Sequence, residues 1–340
     1  MEKFKANGKE KSDHLLLKYS TEIKFVLKTI ITFALIYWVI TRGSLNLEVV
    51  AKAFQPVFFF PIVIFIYLTF VVNTYRWVLI MKSRHLNISL KEALPLTYIG
   101  QFFNFAIPGG VSGDVIKGYY LLKGNTEKKL PAATSIIVDR YIGLISMILF
   151  GAFSLLLNTG AIEGSKKLQG IAIFIVLLLV FLIALTILMI SEKTFNNKIA
   201  TYLVNLMPFS EKIRSLQKEL YSYRHNSKIL LSALSLSFVS QLSTILTFYV
   251  SGLAMGYNIS FASHFFVIPV ALVITAIPVS PGGIGFGQAV YLLLYNLTLG
   301  SDSSIGPDLI TSLQGYSLLW GFVGAYYYFR AKKLIVLNNN

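Results

Sequence analysis

The sequence predicts an all-α polytopic membrane protein. It has six full spans plus two oppositely directed re-entrant helical hairpins, or pairs of short spans, in an inverted repeat. Three observations carry this expectation. Hydrophobic residues make up 55% of the 340 and charged residues only 13%, against about 25% charged in soluble domains. Six continuous apolar runs approach the ~20 residues that a helix needs to cross a ~30 Å hydrocarbon core. Two further apolar regions break at similar words, "IPGGVSGD" at 107–114 and "IPVSPGGIGFG" at 277–287.

The six runs fall at 25–41, 57–81, 131–157, 169–190, 229–254 and 309–329. A polar stretch of 24 residues precedes the first run, which has no small-residue cleavage site and is read as a retained helix. A single transmembrane domain is expected over 25–333, between a cytoplasmic segment at 1–24 and a polar tail at 334–340. Lys and Arg set the orientation. With the N-terminus inside and only the six runs crossing, segments 1–24, 76–91, 117–129, 191–228 and 330–333 hold 24 of the 30 Lys and Arg residues. Arg42, Lys52, Lys166 and Lys167 fall on the other side. Both termini are therefore expected in the cytoplasm, with the chain in the cytoplasmic membrane. The loops also account for the net charge of +15 without a nucleic-acid partner. The linker 191–228 interleaves seven Lys and Arg with Leu, Ile and Tyr. It reads as an amphipathic stretch on the anionic inner leaflet or as a solvated linker.

The two broken regions, 93–122 and 263–299, differ in their flanks. Lys91, Lys117, Lys123, Lys128 and Lys129 surround the first, so it enters and leaves on the cytoplasmic side. No basic residue flanks the second, so it enters and leaves outside. An offset of 173 lays Pro108, Gly109 and Gly110 on Pro281, Gly282 and Gly283, and carries the spans on either side onto one another. The expected repeat units are about 57–157 and 229–329, with an odd number of crossings between their starts, hence inverted. Irregular backbone at membrane depth is tolerated only inside protein or beside a wet cavity. The two turns, with Gly113 beside the first, are thus expected near the midplane. The helices starting near Asp114 and Gly287 would present N-terminal N–H donors to an anionic group. The alternative is that these glycines and prolines serve tight helix packing or kinks.

Charges inside the apolar runs supply the candidate site. Arg140 lies nine residues beyond Pro131, about 13 Å along a helix at ~1.5 Å per residue. A charge at that depth costs on the order of 2.5–3.5 kcal/mol and so faces protein or water. Asp139 and Arg140 point about 100° apart and need not pair with each other. Asp114 and Lys117 share a face. Arg140, Lys117 and Arg76 are expected to form a cationic pocket for a lipid phosphate, with Asn104, Asp114, Asp139 and Gln288 nearby. A structural ion pair of Arg140 with Asp114 or Asp139, and a snorkelling role for Arg76, remain open.

Other classes find no support. The sequence has no cysteine for disulfides, thiol catalysis or metal ligation, and no phosphate-binding loop of the ATPase type. The four histidines, His14, His85, His225 and His264, lack metal-ligand spacing. No Ser–His–Asp arrangement stands out, and no cofactor is expected.

The words "GQFFNFAIPGGVSGDVIKGYYL", "VDRYIGL" and "AIPVSPGGIGFGQA" together resemble the transmembrane, flippase-like region of lysylphosphatidylglycerol synthases, over about 20–335. The resemblance implies signature roles for Asn104, Pro108, Gly113, Asp114, Lys117, Arg140 and the turn Pro281-Gly282-Gly283. This chain has Gln288 where the family commonly has Glu, and Lys117 where Arg is common. The resemblance further implies a stand-alone flippase or scramblase for an anionic or isoprenoid-linked lipid, without the soluble aminoacyl-transfer domain of the bifunctional members. A membrane accessory subunit for a lipid-modifying or glycosyl-transferring enzyme is the alternative. Membrane lipids, and a transferase in the second case, are the expected partners.

Overall fold

The computed structural model describes residues 37, 45–106, 112–124, 128–191, 210–277, 279–280, 283–301 and 303–337. The expected span at 25–41 lies outside the described residues except for Tyr37, as do Pro108, Gly109, Gly110, Pro281 and Gly282. Among the described residues the secondary structure is helical throughout, with no strand.

A short helix α1 (Leu47–Lys52) begins under the side chain of Asn46, which accepts from the N–H groups of Glu48 and Val49. Helix α2 (Pro56–Lys82) follows, with Pro56 at its first position, where the missing N–H has no partner to lose. Two short helices, α3 (Leu90–Ala106) and α4 (Ser112–Gly124), run between α2 and the long α5 (Lys129–Leu157). A turn of helix, α6 (Thr159–Glu163), leads to α7 (Lys166–Ile190), capped by Ser165. Past the undescribed part of the linker, α8 (Ser210–Ser222) and a 3₁₀ turn (Tyr223–Asn226) enter α9 (Ser227–Ala254). The chain closes with α10 (Phe261–Thr275), α11 (Phe286–Leu299) and α12 (Ile305–Leu337).

Four stretches are long and apolar enough to cross a membrane: Pro56–Lys82, Lys129–Leu157, Lys166–Ile187 and the run Ser210–Ala254. They coincide with the expected spans at 57–81, 131–157, 169–190 and 229–254. Helix α12 covers the expected span at 309–329 and is 33 residues long, yet it falls outside that apolar set. Polar residues such as Gln314 and Ser317, which line a cavity, dilute its apolar character. Helices α3, α4, α10 and α11 have 17, 13, 15 and 14 residues. At ~1.5 Å per residue each is shorter than a ~30 Å hydrocarbon core.

The order long–short–short–long thus occurs twice. A shift of 173 residues carries α2 onto 229–255, beside α9, and α3 onto 263–279, beside α10. It carries α4 onto 285–297, beside α11, and α5 onto 302–330, within or next to α12. Packing follows the same exchange: α2 lies along α9, α3 packs on α12, and α5 packs on α10. Three hydrogen bonds fix the direction of the α2–α9 seam. Ser243 Oγ donates to Phe65 O at 2.8 Å, Arg76 Nη1 to Ser237 Oγ at 2.8 Å, and Asn226 Nδ2 to Ser83 O at 3.4 Å. As one chain ascends the other descends, so the two helices are antiparallel.

Small residues bring the short helices close. A Cβ on Gly113 would overlap the Gly100 carbonyl oxygen, and one on Gly324 would overlap the Tyr98 oxygen. Only glycine allows the α3–α4 and α3–α12 backbones to approach this far. Tyr98 stacks on Trp320 and Tyr327 at the second crossing, with centroids 5.6 and 6.0 Å apart. The largest buried cluster gathers α2, α9, α10, α11 and α12 around Phe248, Tyr291, Tyr295 and Tyr316. Helix α7 stands at the rim. Phe174, Leu177, Val180, Phe181 and Ile187 on it are exposed, as a lipid-facing helix requires.

Candidate functional site

The polar centre is assembled from α2, α4, α5 and α9. Arg76, buried on α2, donates from Nε to Asp139 Oδ1 on α5 at 2.8 Å and from Nη1 to Ser237 Oγ on α9. Its guanidinium lies against Gly143, where a Cβ would stand 3.5 Å from both terminal nitrogens. Arg140, one residue past Asp139 and so on a different face of α5, pairs instead with Asp114 in the first turn of α4. The Arg140 side chain is 52% exposed and that of Asp114 18%. Lys117 is buried, its ammonium 3.6 Å from the centroid of the Trp77 ring, a cation–π contact that compensates a desolvated charge. Lys117 feels the charges of Asp139, Asp114, Arg76 and Arg140 together. Two arginine–aspartate pairs and the Lys117 amine therefore share one region.

A cavity of about 590 Å³ opens beside these pairs. Arg76, Asp114, Asp139 and Arg140 border it, together with Thr69, Asn73, Ser240, Gln241 and Thr244. Asn73 Oδ1 is buried and has no hydrogen-bond partner among the described residues. A second cavity, of about 360 Å³, adjoins the first through Arg140, Met147, Leu272 and Ala276, which line both. Its polar lining is neutral apart from Arg140 and includes Gln101, Asn104, Thr275, Ser280 and Gln314.

The expected site residues divide among these surroundings. Arg76, Asp114, Asp139 and Arg140 converge on the first cavity, and Asn104 borders the second. Lys117 stands among the charges but lines neither cavity. Gln288 is occupied in the protein. Its Oε1 accepts from Gly285 N at 2.7 Å, and its Nε2 donates to Thr311 and Gln314. Gly285, at φ 81, and Gly283, at φ 71, adopt left-handed backbone that favours glycine. The helix starts expected near Asp114 and Gly287 fall at Ser112 and Phe286. One donor at each start is engaged within the protein: Gly113 N donates to Asn104 Oδ1 at 2.9 Å, and the N–H of the cap residue Gly285 to Gln288 Oε1. Of the two open alternatives, Arg140 does form an ion pair with Asp114, and Arg76 is buried and paired inside the bundle.

The neutral part of the cavity wall was not among the expected residues. Its signal lies in spacing. Thr69 and Asn73, with Arg76, recur at one helical face of an apolar span, as do Ser240 and Thr244, beside Gln241, on α9. Polar stripes at helical spacing within a span mark an interior face.

Packed apolar helices with a lipid-facing rim and a charged interior define a multi-pass membrane protein. Its family follows from comparison: "Lysylphosphatidylglycerol synthase TM region" matches residues 25–321, and the chain belongs to that family. A UPF0104 membrane protein of Methanothermobacter thermautotrophicus is 19% identical over 277 residues, covering 77% of this chain and 82% of the relative. A UPF0104 membrane protein of Methanocaldococcus jannaschii is 27% identical over 200 residues, covering 58% of this chain and 80% of the relative. No solved structure matches.

Proposed function

We propose that this protein moves the headgroup of an anionic lipid across the cytoplasmic membrane, through the cavity beside Arg76, Asp114, Asp139 and Arg140. One observation carries the reading: two arginine–aspartate pairs, one of them with its arginine half exposed, border a polar cavity inside a bundle whose rim is apolar. Arg140 is half exposed and its partner Asp114 less so, so its guanidinium can engage a phosphate without losing a buried bond. An apolar cleft of about 450 Å³, lined by Phe150, Phe153, Phe238, Leu242 and Phe265, opens between the same helices α5, α9 and α10. Charge beside an apolar cleft suits an amphiphile.

In this reading α3–α4 and α10–α11 are the two re-entrant hairpins, entering from opposite faces, and both termini are cytoplasmic. The helix lengths, the shift of 173 residues and the antiparallel α2–α9 seam support that arrangement.

The test is reconstitution into liposomes carrying fluorescent anionic phospholipids or polyprenyl phosphates. Translocation above protein-free vesicles is expected, and Arg140→Gln abolishes it while leaving membrane insertion intact. Normal transport by Arg140→Gln refutes the assignment. No translocation of any lipid, with a transferase co-purifying stably, establishes the accessory-subunit role instead.

A further inference from the structure

Resting on that reading, we propose that the second cavity is the subsite for an uncharged, hydroxyl-rich headgroup of about sugar size. The lipid's phosphate then sits at Arg140, where the two cavities meet. Cargo of this class is a phospho-polyol lipid, as opposed to a bare phosphate or an ammonium-bearing head.

The lining decides the chemistry. Arg140 is the one charged residue among the described residues of this cavity. Among the described residues no carboxylate lines this cavity, so an ammonium head inside it would find no counter-charge and would lose hydration without return. Neutral polar residues are plentiful: Gln101, Asn104, Thr275, Ser280, Gln314 and Ser317 all border the space. Ser280 Oγ and Tyr291 Oη are buried and, among the described residues, without a hydrogen-bond partner. An unpaired buried hydroxyl is costly, and rotation of the Ser280 side chain toward the cavity would let a ligand hydroxyl satisfy it. Leu272, Ile310 and Leu313 supply flat apolar wall between the polar groups, the mixture that holds a sugar ring. At about 360 Å³ the space lies near the lower end of the ~300–1,000 Å³ range of small-molecule sites, which suits one ring.

Geometry connects the two subsites. Arg140 lines both cavities, so a phosphate on its guanidinium can carry a head into the neutral cavity. Asn104, which also borders that cavity, is tied to Gly113 N one residue before Asp114. The same turn therefore shapes the rim of the polyol subsite and positions the partner of Arg140.

Binding to the purified full chain in detergent, measured by competition against a fluorescent lipid, tests this with four probes. Phosphatidylinositol carries a ring polyol on phosphate, phosphatidic acid the phosphate alone, phosphatidylethanolamine an ammonium, and soluble inositol phosphate the head without tails. Phosphatidylinositol is expected to bind about tenfold more tightly than phosphatidic acid, as one or two satisfied hydrogen bonds give. Phosphatidylethanolamine should bind no better than phosphatidic acid. Gln101→Ala with Ser280→Ala is expected to remove the preference for phosphatidylinositol while leaving phosphatidic acid binding and the melting temperature unchanged. A preference that survives these substitutions, or that favours phosphatidylethanolamine, overturns the subsite. Soluble inositol phosphate binding as tightly as the lipid overturns its assignment to a lipid. Arg140→Gln weakens phosphatidylinositol and phosphatidic acid alike if the phosphate site stands; if neither changes, the failure lies in the transport reading itself.

Discussion

Removing the carboxylate of Asp139 should be far more damaging than removing that of Asp114, although both are aspartates paired with arginine. The Asp139 side chain is 11% exposed and that of Arg76 9%, with a 2.8 Å bond between them. Asp139→Ala strands a buried guanidinium whose one other side-chain partner among the described residues is Ser237. Breaking one side of a buried pair costs about 3–5 kcal/mol, and the adjoining cavity, which lets water reach Arg76, favours the lower end. At about 1.4 kcal/mol per tenfold, the folded-to-unfolded ratio falls by at least about a hundredfold. Arg140 is 52% exposed, so water screens its pair with Asp114. Asp114→Ala then costs no more than about 1 kcal/mol. Titration with a denaturing detergent in mixed micelles, followed by tryptophan fluorescence, reads both. Adding Arg76→Met to Asp139→Ala should recover most of the loss by removing the stranded charge. Equal destabilisation by the two aspartate variants, or no recovery in the double variant, refutes the reasoning.

Three further outcomes follow from the packing. Gly113→Ala places a Cβ against the Gly100 carbonyl and should cost about 1–3 kcal/mol through forced separation of α3 and α4. Gly100→Ala, whose Cβ would stand 3.2 Å from the Gly113 oxygen, should lower the melting temperature less. The chain has no cysteine, so Phe65→Cys with Ser243→Cys should cross-link efficiently. Pairing position 65 with 232, about 16 Å further along α9, should not; the reverse result would overturn this register of the α2–α9 seam. Near the start of α3, the Ser89 hydroxyl and N–H both donate to Glu92 and hold its carboxyl below its usual range. That lowered value contributes stability fully above a pH of about 4.3, lost as pH falls through it. The protection of amides in the first turn of α3, taken relative to their intrinsic exchange rates, should therefore fall in acid, and Glu92→Gln should show the lower protection already at neutral pH.

How much of this was legible beforehand depends on what each residue had to satisfy. Spans such as 57–81 and 229–254 are read from composition, because lipid solvation acts on each residue almost independently. The charges Arg76, Asp114, Asp139 and Arg140 announce themselves because a charge in an apolar run needs a partner. Which partner was not legible: Asp139 chooses Arg76, 63 residues away, over its neighbour Arg140, a choice made by the meeting of α2 with α5. Gln288 illustrates the opposite outcome. Its position after the second turn suggested a ligand contact, yet a local demand, capping Gly285 at φ 81, uses its acceptor. Ser280 and Gln101 were not singled out, since a single uncharged polar residue at such a place is common and only the meeting of α12 with α3 and α11 makes a cavity of them.

The exchange of partners between the two halves bears on how the chain is made. Helix α3 takes its closest contacts from α12, and α5 packs against α10; both partners emerge from the ribosome later by well over a hundred residues. The first half therefore enters the membrane with the Tyr98 face of α3 uncovered and its cavity walls incomplete. It must wait in the insertion machinery, or in lipid, until the second half arrives to interlock with it. A ribosome stalled within the 191–228 linker would leave a half-molecule unable to close on itself. Quality control has a defined interval in which to act.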